Sequence, residues 1–216
     1  MPHPVRRALA IVVFLLGGAL AIFGSWTAVT LGPSGEASFT ATSKGSGVLV
    51  VEPGVLNSVR VPVRISVARS DGGRVRLAVA PSTDARALLA KSAVSTVSGV
   101  HFPAGSLDLR TSGAGTLSDI SSADVWRLEA EGAGRTQLTV NQGWGPETAV
   151  VSPADNGAPR SIAMTLTWAD RSWFFDALAV AVLGSIIAAF ALGDLWHDRR
   201  QPMSSVPTGP RHGGLV

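Results

Sequence analysis

Two long apolar segments flank a middle region in which apolar and polar residues alternate. Residues 8–31 carry no charged side chain, and residues 173–196 are uncharged between positions 177 and 193. A helix needs about 20 mostly apolar residues to cross a hydrocarbon core of about 30 Å, so each segment is long enough to span a bilayer. Trp173 and Trp196 stand at the ends of the second segment, where indole rings favour the headgroup region. The pattern therefore predicts transmembrane helices at residues 8–31 and 172–196.

Arginines beside the two spans predict their orientation. One pair, Arg6 and Arg7, precedes the first span, and a second pair, Arg199 and Arg200, follows the second span. Because cytoplasmic flanks of membrane helices are enriched in Arg and Lys, residues 1–7 and 197–216 are expected in the cytoplasm. The second of these, rich in Pro and Gly, is expected to be a disordered tail. Residues 32–171 then form a domain outside the plasma membrane.

A cleaved signal peptide is the alternative interpretation of the first apolar segment. Such peptides have an apolar core of about 7–15 residues and a small-x-small cleavage site. The core here is longer, and Trp26 disrupts the best site. We therefore expect residues 8–31 to be an uncleaved signal anchor.

Small residues recur at four-residue spacing in both predicted spans. The candidate helix-packing positions are Gly17, Ala21, Gly24, Ala181, Gly184, Ser185 and Ala188. Small side chains let helix backbones approach closely in lipid. The spacing predicts packing between the two spans of one chain, in a homo-oligomer, or against another membrane or envelope protein.

The outer edge of the second span carries a candidate interface made of Arg171, Trp173 and Asp176. A carboxylate near a helix N-terminus meets the favourable end of the helix dipole and can reach Arg171 or water. Acids at membrane spans are also frequent at functional sites, so recognition of a partner is the alternative role for Asp176.

The middle region has the period-two alternation of β-strands. Strands are predicted at residues 36–40, 47–51, 59–67, 74–79, 94–101, 106–111, 124–131, 136–142, 148–152 and 161–168. Asp71-Gly72-Gly73 predicts that the strands on either side of it form a hairpin, with their arginines facing solvent. One helix is expected outside the membrane, at about residues 84–92, with Ser82 or Thr83 as its cap. The pattern indicates one antiparallel β-sandwich, with an open barrel as the alternative.

Composition narrows the function classes. The chain has no cysteine, which excludes thiol catalysis and cysteine metal sites. Its 18 basic residues nearly balance its 15 acidic residues, for a net charge of +3, and they are interspersed along the strands. Without a basic stripe, no nucleic-acid interface is predicted.

The order of segments resembles a group of uncharacterised two-pass membrane proteins of high-GC actinobacteria, over most of the chain from Val59 to Ala191. The resemblance rests first on a turn at residues 70–75, a strand at 77–80 and a helix at 84–90. It continues with an aromatic strand at 125–128, strands at 138–140 and 149–151, and a turn at 154–157. Leu88 and Val140 stand where members of that group carry Tyr and Trp, which points to core positions. The resemblance implies the two-pass topology with an extracytoplasmic β-rich domain, and it implies no activity.

Candidate chemistry in the middle region is sparse. His101 is its one histidine, and no Gly-x-Ser-x-Gly motif accompanies it. The spacing of Glu129 and Glu131 on one strand face is similar to that of paired glycosidase carboxylates, but Arg127 is expected to offset their charge on a solvent face. Asp155 lies in a turn without the spaced carboxylates of a calcium loop. The expected function is a non-catalytic interaction or scaffold module of the cell envelope without a cofactor, and the alternative is a ligand- or glycan-binding sensor or transport-accessory subunit.

Overall fold

The computed structural model describes residues 3–44, 47–102, 104–115, 120, 123–141, 143, 145–155 and 161–199. The chain divides into two compact units. The helical unit contains Met1–Thr30 and Trp173–Val216, and the body contains Leu31–Ser172.

The described residues form fourteen helices and strands. They are α1 (His3–Leu31), β1 (Glu36–Lys44), β2 (Leu49–Val51), α2 (Pro53–Leu56), β3 (Val63–Arg69), β4 (Arg74–Pro81), α3 (Ser82–Leu89), β5 (Val94–His101), β6 (Ser106–Ser112), β7 (Leu128–Ala133), β8 (Arg135–Val140), β9 (Glu147–Pro153), β10 (Ser161–Ala169) and α4 (Arg171–Arg199).

The helical unit is built on α1 and α4, which are long and apolar enough to cross a membrane. The apolar segments are Pro4–Leu31, with 28 residues, and Arg171–His197, with 27 residues. Most of their large apolar side chains are exposed, among them Ile22, Val29 and Phe190.

The described residues of the body form one ten-stranded sheet in the order β7-β4-β9-β2-β5-β6-β1-β10-β3-β8. Its edge strands β7 and β8 are consecutive in the chain and joined at Gly134, so the sheet returns on itself as a nearly closed barrel. Gly134 has φ +69, a conformation that favours glycine. The prediction of a mainly β middle region between two apolar helices is confirmed.

The predicted hairpin of β3 and β4 is wrong in its pairing. The two strands are joined by a tight turn, but β3 pairs with β10 and β8, whereas β4 pairs with β9 and β7. Gly134 sits between the ends of the two strands, because its N–H donates to Gly73 O at 3.0 Å and its carbonyl accepts from Arg69 N at 2.9 Å. The two strands therefore diverge into separate parts of the sheet.

Local predictions also differ from the structure in several places, including the start of β7 at Leu128 instead of residue 124. Strand β3 begins at Val63 instead of residue 59, since Pro62 lacks the N–H that a ladder needs. Helix α2 was not expected, although Pro53 at its start is a favourable helix-opening residue. Helix α3 begins at Ser82 with Pro81 as its N-cap residue and has no side-chain cap, so Ser82 is a buried first-turn residue.

The core of the body contains the stripe predicted on β10. Ile162, Met164, Leu166 and Trp168 are buried, which confirms that prediction. Phe39 on the neighbouring β1 packs edge-on against Trp168, with ring centroids 5.7 Å apart. The pairing of β1 with β10 runs from Glu36 opposite Ala169 to Lys44 opposite Ser161, so the two ends of the body lie side by side.

Candidate functional site

A cleft of about 670 Å³ opens on the body, bordered by α2, α3 and the ends of strands β2, β5, β6 and β9. Its volume is within the range of about 300–1,000 Å³ that small-molecule sites occupy. Its lining residues come from stretches of chain far apart in sequence, among them Glu52, Arg86, Ser112 and Thr148.

Helix α3 supplies the apolar wall of the cleft. Ala85 and Leu89 are four residues apart, so they share one face of the helix, and both are buried. They pack in a cluster with Val48, which directly precedes β2, and with Val150 on β9. The start of the helix is fixed because the Ser82 N–H donates to the carbonyl of Pro146 at 3.0 Å. The wall is therefore held by both core packing and a backbone hydrogen bond.

Three nearly buried hydroxyl residues line the same cleft: Ser82, Ser92 and Thr148. Within the part of the chain that the structure describes, their hydroxyls make no hydrogen bond to protein. None of these hydroxyl oxygens is a fully buried atom without a partner, so each is accessible from the cleft. These hydroxyls are thus available to donate to, or accept from, a molecule in the cleft.

The cleft also carries one charge of each sign. Glu52 precedes α2 and Arg86 lies in the last turn of α3, and both side chains belong to the lining. Among the described residues neither forms a salt bridge. An apolar wall, free hydroxyls, a carboxylate and a guanidinium together can bind an amphipathic molecule that carries both charges.

The histidine and carboxylates that the sequence offered for chemistry are engaged elsewhere. His101 Nε2 lies 2.7 Å from Asp108 Oδ1. Glu129 pairs with Arg76 on the adjacent strand, 2.6 Å from its Nη2. Among the described residues, no group of three or more His, Cys, Asp or Glu is placed to hold a metal ion.

The expected role of Arg127 is wrong. Arg127 pairs with the buried Glu147, whose Oε2 accepts from Arg127 Nη2 at 2.6 Å, and this hydrogen bond raises the pKa of Arg127. The charge of Glu131 is offset instead by Arg74, whose Nε lies 2.8 Å away. Cross-strand pairing of β4 with β7 brings Arg74 and Glu131 together. The alternation of residues along one strand does not specify which strand pairs with it.

A clasp around Arg69 was missed at the sequence level. The Arg69 side chain is 2% exposed, and its guanidinium donates to Asp71 at 2.9 Å, to Asp155 at 2.7 Å and to the carbonyl of Arg74 at 2.8 Å. The hydrogen bond from Arg69 is the main reason that the pKa of Asp71 lies far below its usual range. The clasp joins the β3–β4 turn to the segment after β9.

Most candidate helix-packing residues meet between α1 and α4 inside the helical unit. A Cβ atom on Gly17 would lie 2.7 Å from Ala188 N, one on Gly24 would lie 2.5 Å from Ala181 N, and one on Gly184 would lie 2.4 Å from Ala21 N. The two backbones therefore touch at these glycines. Ser185 is exposed, and its hydroxyl donates to the carbonyl of Ala181.

The three candidate interface residues lie in the first two turns of α4. Arg171 and Asp176 are exposed and Trp173 is half-buried. Within the described residues, Asp176 and Arg171 do not form a salt bridge. The helix start is capped by Asp170, which accepts the Ser172 N–H at 2.9 Å, and this hydrogen bond lowers the pKa of Asp170.

The fold and the cleft define a mainly β body between two apolar helices, and comparison with known proteins adds little to that class. No protein-family model and no curated protein matches the chain. The D1-D2-D3 domains of the flagellar cap protein FliD from Escherichia coli are similar at a TM-score of 0.24 and 11% identity, covering 88% of this chain and 70% of that one. A likeness this weak carries no argument about fold or function.

Proposed function

We propose that the chain is a two-pass membrane protein whose body is a non-catalytic binding module outside the plasma membrane. The observation that carries this proposal is the exposed apolar surface of α1 and α4, which includes Leu15, Leu16, Ile22 and Phe190. Leaving one such side chain in water instead of burying it costs about 1.5–3 kcal/mol. Lipid around both helices removes that cost.

The proposed orientation places both termini in the cytoplasm. Arg6 Nη2 lies 2.5 Å from Asp194 Oδ1, which joins the start of α1 to the last part of α4 at one end of the helical unit. A charged pair at this end favours a position at the membrane–water interface over one in the hydrocarbon. Together with the flanking arginines, the pair supports an inward-facing end here.

Reporter fusions test the topology. An enzyme that is active only outside the cytoplasm, fused within the body after Gly143, is expected to be active, and the same enzyme after Val216 is expected to be inactive. The opposite result, or a mature N-terminus near Gly32, would contradict two spans with an outer body.

The ion pairs described above support a scaffold role of the body. His101, Glu129 and Glu131 each have a charged partner, which suits a structural surface better than a reaction centre. A partner from the membrane or envelope, or a second copy of the chain, is the proposed ligand of this surface. Within this proposal the nearly closed sheet packs as a β-sandwich, and the protein belongs to the actinobacterial group that its segments resemble.

Affinity purification from gently solubilised membranes tests the scaffold role. A stoichiometric protein partner, or a homo-oligomer by light scattering, is the expected result. A monomer that purifies alone at physiological salt from its native membrane would contradict it.

The cleft favours a second candidate, capture of a small ligand by the body. Its hydroxyls and its two charges fit a zwitterion of about dipeptide size with an apolar side chain. Aromatic residues, on which sugars commonly stack, are not among the cleft-lining residues that the structure describes. The cleft therefore favours a peptide-like ligand over a glycan.

A paired set of glycine variants tests the cleft. Gly54 lines the cleft and Gly143 does not, and a Cβ atom at either position would meet no atom within 4 Å. We expect a set of apolar zwitterionic dipeptides to raise the melting temperature of the wild-type chain and of Gly143→Phe, but not of Gly54→Phe. Equal responses of the two variants would contradict binding in this cleft.

A further inference from the structure

The tip of the β5–β6 hairpin carries an unusual apolar surface. Val100 is 37% and Phe102 is 53% exposed, and they are the only large apolar side chains in the described part of the body that are exposed to this extent. Single apolar side chains are common on protein surfaces, so the position of these two on the body decides what they contact. The two are separated by one residue, so they form a single small patch.

The described residues of the hairpin tip are hydrogen-bonded to β1. The Thr40 N–H donates to Gly105 O at 2.9 Å, and Thr40 pairs with Ser106 in a parallel register. The Gly105 N–H in turn donates to His101 O at 3.0 Å. Gly105 has φ +64, a backbone conformation that is strained for residues with a side chain. The apolar tip therefore has a fixed place on the body.

That place is near the two ends of the body. Thr40 is four residues from Glu36 along β1, or about 13 Å at the rise of a strand. Glu36 is paired with Ala169, so the chain enters and leaves the body beside one another at this end. The Arg69 clasp lies toward the other end of β10, where Ile162 pairs with Arg69.

We propose that Val100 and Phe102 insert into the interfacial region of the bilayer that α1 and α4 cross. This inference rests on the two-span proposal, since the spans begin where the body ends. The covalent tether holds the patch at a high effective concentration beside lipid, so two apolar side chains suffice for contact. His101 lies between the two apolar residues and pairs with Asp108, and both of these polar side chains are exposed.

The absence of cysteine from the sequence permits a single-site labelling experiment on the full chain. An environment-sensitive fluorophore is attached to Phe102→Cys, to Ser70→Cys near the Arg69 clasp, and to Leu16→Cys, an exposed position of α1. Each labelled protein is reconstituted into pure phosphatidylcholine vesicles, with and without lipids that carry a quencher on the acyl chain near the headgroup.

The expected result is at least a twofold stronger lipid quenching at position 102 than at position 70, with a blue-shifted emission at position 102. If position 16 is quenched but positions 70 and 102 are quenched equally and weakly, the insertion of the tip is overturned and the two-span proposal is not. Weak quenching at all three positions would overturn the two-span proposal itself.

A protein-mediated contact is distinguished by dilution. If the label at position 102 touches a second copy of the chain, its blue shift falls when the lipid-to-protein ratio is raised tenfold, and this result would overturn the lipid contact. A blue shift independent of that ratio supports it. As a second variant, Val100→Ser with the label at 102 is expected to weaken lipid quenching while leaving the label at 16 unchanged.

Discussion

The Arg69 clasp is expected to be a main determinant of the stability of the body. Arg69→Met keeps the length of the aliphatic side chain but removes every donor of the guanidinium. The variant leaves Asp71 and Asp155 without their shared cation, and it leaves the Arg74 carbonyl without the hydrogen bond from Arg69. The connection to the segment after β9 is then weakened, and the hydrogen bonds from Arg74 N–H to Asp155 and from Ala154 N–H to the Arg74 carbonyl remain.

The size of the effect follows from the burial of the three side chains. Removing one partner of a buried ion pair costs about 3–5 kcal/mol. Arg69 is 2% exposed, but Asp71 and Asp155 are 25% and 33% exposed, so water can solvate the two carboxylates after the substitution. We therefore expect a loss of about 2–4 kcal/mol in the free energy of unfolding. For a body of this size that corresponds to a melting temperature lower by about 6–16 °C.

Calorimetry of the full-length chain in detergent measures this change, and Arg74→Met is the matched control. Arg74 also forms a salt bridge, to Glu131, but its side chain is 64% exposed. Exposed pairs contribute about 0–1 kcal/mol, so the control is expected to melt close to the wild type. Equal shifts for the two variants would refute the idea that burial gives the clasp its strength.

Two further predictions concern the pH dependence of the clasp and the helix pair. The pKa of Asp71 is lowered by Arg69, so the Asp71 carboxylate stabilises the body at neutral pH, and this stabilisation is lost as the pH falls below about 4. The difference in melting temperature between wild type and Asp71→Asn should therefore shrink below that pH. A difference that stays constant would contradict this. Gly184→Ile should lower the midpoint of helix melting in detergent by circular dichroism, since a Cβ atom there would lie 2.4 Å from Ala21 N. Gly193→Ile, where no atom lies within 4 Å, should not, and a matching loss in both would contradict close packing at Gly184.

The strands were predictable where one face is buried and the other is polar. On β10 the apolar stripe alternates with polar residues, and its burial follows directly from that period. Pairing was not predictable in the same way, because a turn such as Asp71-Gly72-Gly73 specifies a reversal of the chain and not the neighbours of each strand. Strands β3 and β4 each have two other partners with long ladders, and these outweigh a local hairpin.

The cleft was not predictable, because no local pattern joins its parts. Glu52, Arg86 and Thr148 are remote in sequence and meet only after β2, β5 and β9 have paired. Each of these residues, taken alone, is an ordinary surface or strand residue. From the sequence we could infer that a ligand-binding body needs a cleft with polar groups. The residues that form the cleft could be identified only from the fold.

The Arg69 clasp, in contrast, left a signal in the sequence that period-two reasoning can detect. Val63, Ile65 and Val67 define the inward face of β3, and Arg69 continues the same parity. A charged residue at an inward position must be paired or it destabilises the fold. Asp71 follows two residues later, in a turn whose Gly73 has no room for a side chain beside the guanidinium. An inward arginine at a strand end followed by an Asp-Gly-Gly turn thus predicts a buried ion pair, and the second carboxylate has to be sought in another part of the chain.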